Sequence, residues 1–469
     1  MNYEKLFMLC GFEKEEIQKQ SSRIEQFLKK LKIEDDKAIK HCEDTVNKNY
    51  DVSLKGVRGL LRIFVKETID IVLAREEREK VITFTRPVDP VNAITLIFAE
   101  KRYESKHYCR VAVQMVCQCL GTVFDKINWL IEIGELMGQT AGRAHCSEYQ
   151  VYAGGMKEGI FPVPDISITC GWFCDQSPEA DVLLSEMFKY PIVTTDGCND
   201  WQWASWPELD ERAVRYMRKT LQTAHEQVKE VTGIEITPED AVNAMQFSAK
   251  LTMGFLSITK LMAEADPQPV SQADITLVFY LWSQGTIYMD DAVKALNDLQ
   301  KDLRKRIKEG KGVVPKGAPR VFVELRGCVD MTPTKAIEEL GLAIPVMFYD
   351  ALHPNQLTPT KFPDDPIAQA IEGVFKMPKM GDNFATLEFW RWMADVHKVD
   401  GVIHIYASSC RPWSTPSLMG KKHVQKELNG IPYMVVEGDS FDTRNYSAGQ
   451  MRTRVESFAE VLKMNKAAK

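Results

Sequence analysis

The chain has no uninterrupted apolar run near the ~18 residues that a membrane span needs. Its first residues, MNYEKLFMLCGFEKEEIQKQ, set a short apolar stretch against a charged segment. That order is not the one a signal peptide follows. Export and membrane insertion are therefore not expected, and the cytoplasm is the expected location. None of the eleven cysteines forms a CxxC pair or a zinc-finger spacing. Any metal held by cysteines must draw its ligands from distant parts of the chain. The odd count also argues against a disulfide framework in so large a chain. There is no GxxxxGK[ST] loop, so no nucleotide site of that kind is expected. Basic surplus is missing too: 59 Lys and Arg face 65 Asp and Glu, for a net charge of -6. Nucleic acid is not an expected partner.

What is present is ordinary for a globular protein: 469 residues, 45% hydrophobic and 26% charged. That length suffices for several cores. Residues 1–79 carry apolar residues at helical spacing, as in EKEEIQKQSSRIEQFLKKLKI, and read as a helical N-terminal arm. Residues 80–206 read as a first α/β domain. Here KVITF, PDISITCGWF and YPIVTTDG are strands, and SPEADVLLSEMFK is a helix between two of them. Residues 207–317 read as a helical domain. Gly233 ends one long amphipathic helix there, and Thr237 with Pro238 opens the next. Residues 318–469 read as a second α/β domain in which RVFVELRG, IPVMFYD, GVIHIYASS and IPYMVVEGD alternate with helices. The expected fold class is α/β, with two doubly wound parallel-sheet domains, a helical domain between them and the helical arm in front. No short-period repeat is visible, but the two α/β segments could share a fold.

Open parallel sheets bind ligands beyond the carboxyl ends of their strands. That rule selects Cys174, a few residues after DISIT, and Cys410, directly after GVIHIYASS. Cys198 after IVTTD is a further candidate, and Cys328 after RVFVELRG a weaker one. Cys109, Cys117 and Cys119 are read as lying on a helix and packed. Cys10 and Cys42, in the arm, are read as structural. A loop-borne thiolate set suits zinc or an iron–sulfur cluster, and the residues alone leave that choice open.

The C-terminal part is more specific. It runs KVDGVIHIYASSCRPWS, KELNGIPYMVVEGD and DTRNYSAGQMRTRVESFAEVL. In order it offers Asp400-Gly401-Val402, Cys410-Arg411-Pro412-Trp413, Gly430-Ile431-Pro432, Gly438-Asp439, Asp442, Arg444-Asn445, Gln450 and Thr453-Arg454. Together with PVPDISITCGWFCDQSPEADVLLSEMFKYPIV and AHCSEYQVYAGG, this resembles the 2-hydroxyacyl-CoA dehydratase and benzoyl-CoA reductase family from about Lys80 onward. Within that family the chain resembles the alpha-type subunit of the 2-hydroxyglutaryl-CoA dehydratases. The resemblance places the family's cluster cysteines at Cys146, Cys174 and Cys410. The intervals are 28 and 236 residues. Cys170 and Cys198 lie close enough to that segment to compete for the assignment. The family's serine-bearing turn is here Thr83-Phe84-Thr85-Arg86, so Thr83 and Thr85 are its hydroxyl candidates.

The resemblance implies one [4Fe–4S] cluster and a cytoplasmic, anaerobic radical enzyme. One electron enters the thioester carbonyl of a 2-hydroxyacyl-CoA, and the ketyl radical that results expels the hydroxyl group. It also implies a homologous second subunit forming a heterodimer, and a separate ATP-dependent activator iron–sulfur protein. The missing nucleotide loop fits that division of labour. Benzoyl-CoA-type aromatic reductases share the cysteines, so aromatic reduction stays open as an alternative. So does a role in low-potential electron transfer. The acyl-CoA substrate is expected in a cleft between the two α/β domains, with Arg411, Trp413 and Ser414 near Cys410 lining it.

Overall fold

The computed structural model describes residues 2–84, 90–103, 107–111, 114–138, 146–172, 174, 176–196, 206, 208, 210–324, 329–348, 350–377, 383–407, 409–428, 430–444 and 446–468. The side chains of residues 90–93, 109–111, 383, 411 and 418 are not among those described. Thr85, Cys198, Cys328 and the Arg411 side chain therefore lie outside this description.

Two parallel sheets organise the chain. The first contains β1 (Lys80–Phe84), β2 (His107–Val111), β3 (Ile166–Cys170) and β4 (Ile192–Thr195), in the order β2-β1-β3-β4. The second contains β5 (Arg320–Val323), β6 (Ala343–Met347), β7 (Gly401–Ala407) and β8 (Tyr433–Gly438), in the order β6-β5-β7-β8. Every strand pair is parallel. Both sheets thus follow one scheme: the chain steps outward on one side, then returns across the first strand and continues on the other. The strands read as apolar runs because helices cover both faces, and β3 and β6 are buried at every residue. Pro345 in β6 cannot donate to a ladder. It sits on an edge strand, where the pairing with β5 shifts register between Arg320 and Phe322.

Cys109 corrects one expectation. It lies in β2, not on a helix. The segment HYCRV mixes polar and apolar residues, so its pattern did not stand out as a strand.

Three cores hold the molecule together. The largest joins the helices of residues 1–79 to Gln114–Thr122, Ile127–Leu136, Ser147–Lys157 and the helices of 238–308. The second lies about β5–β8. The third lies about β1, β3 and β4, and includes Ile367, Ile371 and Phe375 from the helix Pro366–Phe375. Phe375 stacks on Trp172 at 5.3 Å. Trp206, from the first half of the chain, packs in the second core. The two sheet units therefore exchange segments. Capping follows the sequence: Gly233 ends its helix at φ 78°, and Thr237 and Asp240 form a reciprocal cap with Pro238 beside them. No helix among the described residues is long and apolar enough to cross a membrane.

Candidate functional site

Cys174 and Cys410 each follow the third strand of their sheet. β3 ends at Cys170, and Cys174 stands two residues before the helix Gln176–Phe188. β7 ends at Ala407, and Cys410 donates its N–H to the Ala407 carbonyl at 3.0 Å before the short helix Arg411–Ser414. Cys146 comes from elsewhere, between β2 and β3. It is the N-cap residue of the helix Ser147–Lys157, in extended conformation. Cys146 and Cys174 are buried and Cys410 is partly so. The positive end of a helix dipole favours a thiolate over a thiol. Cys146 and Cys174 both stand at that end.

Polar side chains tie the three segments together through the helix of Cys146. Its first residue, Ser147, donates to Asp439 Oδ1, and its hydroxyl lies 3.5 Å from that of Ser409. Ser409 donates to Asp439 Oδ2 at 2.5 Å. Ser147 adjoins Cys146 and Ser409 adjoins Cys410, so two of the three cysteine segments meet on one carboxylate. Two residues further along, the Tyr149 hydroxyl lies 2.5 Å from Ser177 Oγ and donates to Asp181 Oδ2 at 3.4 Å. Ser177 is in the first turn of the helix that follows Cys174, within 3.5 Å of Thr169 on β3. The first turns of three segments thus share one junction between the sheets. Among the described residues, no three His, Cys, Asp or Glu side chains converge closely enough to hold a single metal ion. A cubane spreads its thiolates over different irons and needs them farther apart than the ligands of one ion. The segments that carry the three cysteines are linked through the helix Ser147–Lys157, and thiolates are the donor type such a group takes.

The remaining expected residues fall as follows. Thr83 is buried on β1, and its hydroxyl donates across to Ser167 on β3 at 3.0 Å. Cys170 is inside β3 and receives the Trp172 N–H at 3.4 Å. Trp413 packs in the second core with its ring edge on Phe348 at 5.5 Å. Ser414 is partly buried, and its N–H closes on the Cys410 carbonyl at 2.9 Å.

The structure adds a buried polar set under Trp413 that sequence reasoning missed. His404 on β7 lies 3.3 Å from Glu324, which follows β5, and 3.1 Å from the Tyr433 hydroxyl. Its Nε2 lies 3.1 Å from the Trp413 carbonyl, which can only accept, so Nε2 carries the proton and Nδ1 accepts from Tyr433. Burial lowers His404 to about 4 and pushes the Glu324 carboxyl well above its usual range. His404 is therefore neutral near pH 7. A histidine inside GVIHIYA and a glutamate closing RVFVE were the available signals.

A cavity of about 700 Å3 lies beside the junction, walled by the N-terminal helices and the second sheet unit. Lys48, Lys335 and Arg452 line it together with Asp125, Asp330 and Glu339. Arg452 is already paired with Glu339 at 2.6 Å. The lining carries both signs of charge.

A family model described as "2-hydroxyglutaryl-CoA dehydratase, D-component" matches residues 117–462, a span that includes all three cysteines. The (R)-2-hydroxyglutaryl-CoA dehydratase alpha subunit of Acidaminococcus fermentans is 25% identical over 318 residues, covering 66% of this chain and 62% of that protein. The (R)-phenyllactyl-CoA dehydratase alpha subunit of Clostridium sporogenes is 22% identical over 446 residues, covering 90% of this chain and 99% of that protein. The (R)-2-hydroxyisocaproyl-CoA dehydratase alpha subunit of Clostridioides difficile is 21% identical over 321 residues, covering 67% and 75%.

Proposed function

Because the chain belongs to the 2-hydroxyglutaryl-CoA dehydratase D-component family, we propose that it is the cluster-bearing subunit of a 2-hydroxyacyl-CoA dehydratase, with Cys146, Cys174 and Cys410 holding one [4Fe–4S] cluster. One observation carries the reading. Segments 28 and 236 residues apart in sequence are drawn to one junction by Ser147, Asp439 and Ser409 on one side and Tyr149 and Ser177 on the other. A cluster held by Cys146, Cys174 and Cys410 would supply low-potential one-electron chemistry and Lewis acidity. The chain's own residues do the rest. Cys146 and Cys174 are each only 8% exposed, so their thiolates are shielded from water and oxygen. The helix ends beside them favour the ionised sulfur. The junction between two packed sheet units walls off solvent, as chemistry on a reactive radical requires.

The substrate is a 2-hydroxyacyl-CoA, from which water is eliminated through a ketyl radical. The relatives' description as alpha subunits supports a second, homologous subunit as partner. The electron comes from a separate ATP-dependent activator, a division of labour that the missing nucleotide loop of this chain fits. Aromatic acyl-CoA reductases share the cysteines, but the relatives' names favour the dehydratase.

The test is anaerobic purification with the second subunit. The chain should hold about four irons and four acid-labile sulfides, as a single cubane does. Loss of water from a 2-hydroxyacyl-CoA should need the second subunit, the activator and ATP together. An iron-free chain that is otherwise folded would sink the reading, and so would full turnover by this chain alone without ATP.

A further inference from the structure

We propose that Asp439 is a positioning residue whose buried carboxylate clasps the Cys146 helix to the Cys410 loop and holds down the reduction potential of the cluster between them. The inference rests on the cluster reading above. Asp439 follows β8 and is 1% exposed. Four donors converge on it. Ser147 and Ser409 donate their hydroxyls, one to each oxygen. The N–H groups of Phe441 and Asp442 donate to Oδ1 at 3.0 and 3.2 Å. The two backbone donors fix the carboxylate to its own turn. The two serines are each one residue from a proposed ligand, and they come from different sheet units.

The geometry separates this role from simple packing. Residues 147 and 409 have no reason in sequence to meet, and here they meet through Asp439 and their own 3.5 Å approach. Releasing either serine removes the side-chain tie between the two cysteine segments and leaves each held by its own backbone bonds. Partners of this kind orient metal ligands and tune what they hold. The charge matters as well. Among the described residues no Lys, Arg or His forms an ion pair with Asp439. The nearby Arg444 is committed to Asp442 at 2.9 Å and to Glu135 at 3.0 Å. A buried negative charge with no ion-pair partner among the described residues opposes the arrival of an electron close by. The carboxylate therefore favours a low potential.

Glu338 provides the control. It is a buried carboxylate that accepts from Gln268 at 2.7 Å, Ser271 at 2.5 Å and the Gln272 N–H at 2.8 Å, and so does similar structural work without touching a cysteine segment. The experiment compares wild type, Asp439→Asn, Asp439→Ala and Glu338→Gln, each purified anaerobically with the second subunit. Iron per chain and the midpoint potential, followed by electron paramagnetic resonance during redox titration, are the readouts. Asp439→Asn keeps the shape and removes the charge, so it should retain most of the iron and shift the midpoint to a more positive value. Asp439→Ala should hold iron about tenfold more weakly or worse, a usual cost of losing such a partner. Glu338→Gln should change neither. If both Asp439 variants load fully at the wild-type potential, the clasp is wrong. It is equally wrong if Glu338→Gln shifts the potential as far. A wild type without iron overturns the cluster reading and the clasp together.

Discussion

The two sheet units share a topology down to a single latch and differ in what stands at the other end. Register makes the comparison direct. Ile82 pairs with Ile166 in the first sheet, and Val321 pairs with Gly401 in the second. One step earlier, Asp165 exchanges bonds with Val81: its carboxylate takes the Val81 N–H at 2.8 Å and its own N–H reaches the Val81 carbonyl at 2.7 Å. Asp400 does the same to Arg320, at 3.0 and 2.7 Å. So far the units are alike. Above the latch they diverge. β7 and β8 run to seven and six residues, where β3 and β4 have five and four. The longer strands carry Ser409 and Asp439 far enough to meet Ser147 from the other unit. One scaffold used twice thus yields two unequal halves of a junction, the first giving two cysteines and the second giving one with the carboxylate.

The sharpest way to break this comparison is at the cysteines themselves. Cys174→Ala and Cys410→Ala should each abolish iron binding, although they lie on different units, and Cys146→Ala should do the same. Cys170→Ala, four residues before Cys174 but inside β3, should load normally. Iron analysis of the four anaerobically purified variants decides it. Full iron in the Cys410 variant would mean that the second unit contributes no ligand, and the junction would then be structural only.

How far the sequence alone reveals this follows from the same comparison. Among the described residues, seven of the eight strands are visible because they read as apolar runs bounded by turn residues. The exception, β2, is an edge strand whose HYCRV mixes polar and apolar residues. The third-strand cysteines were legible because strand ends are legible. Gly438-Asp439 was visible only as part of a resemblance. Its partners lie 292 and 30 residues away, and no periodicity encodes a contact of that kind. The Glu324–His404 pair was hidden for a related reason, since its members sit 80 residues apart on strands that otherwise read as apolar.

That pair gives the next difference between the units. By register, the position of His404 in the second sheet is occupied in the first by Thr169, which does not titrate. His404 is held neutral at about 4, below the ~6.5 of an exposed histidine. The unfolded chain therefore takes up this proton first as pH falls. The stabilisation is complete above about 6.5 and is lost as pH drops through 4, with a full value of about 3 kcal/mol. Glu324 acts with the opposite sign. Its raised carboxyl stays protonated while the unfolded one ionises, so it costs stability as pH rises above the ordinary carboxylate range. Chemical denaturation across pH should show a shallower acid limb in His404→Gln than in wild type. Glu324→Gln should gain stability at pH 8 relative to pH 4. An unchanged acid limb in His404→Gln would mean that folding does not shift the histidine at all, and the buried neutral state would be wrong.

The smallest effect tests the likeness itself. The two latch aspartates make the same pair of backbone bonds but differ in their cations. Asp165 also meets Arg75 at 2.9 Å and Lys80 at 3.5 Å, while Asp400 meets Lys466 at 3.5 Å. Both carboxylates are about one-fifth exposed, 21% and 18%, so their ion pairs are screened and each adds only ~0.5 kcal/mol. The shared term is the hydrogen bond to the first strand, worth about 1 kcal/mol, and its loss leaves a backbone N–H unmet. Asp400→Ala should therefore cost about 1–2 kcal/mol and Asp165→Ala slightly more. Asn at either site should recover part of the loss, because its amide oxygen still accepts the N–H. Raising the salt concentration should narrow the gap between the two alanine variants by screening the cations. It should leave the common part in place. If one latch proves neutral and the other costs several kcal/mol, the two units are held together by different means, and their matching register is a likeness of path alone.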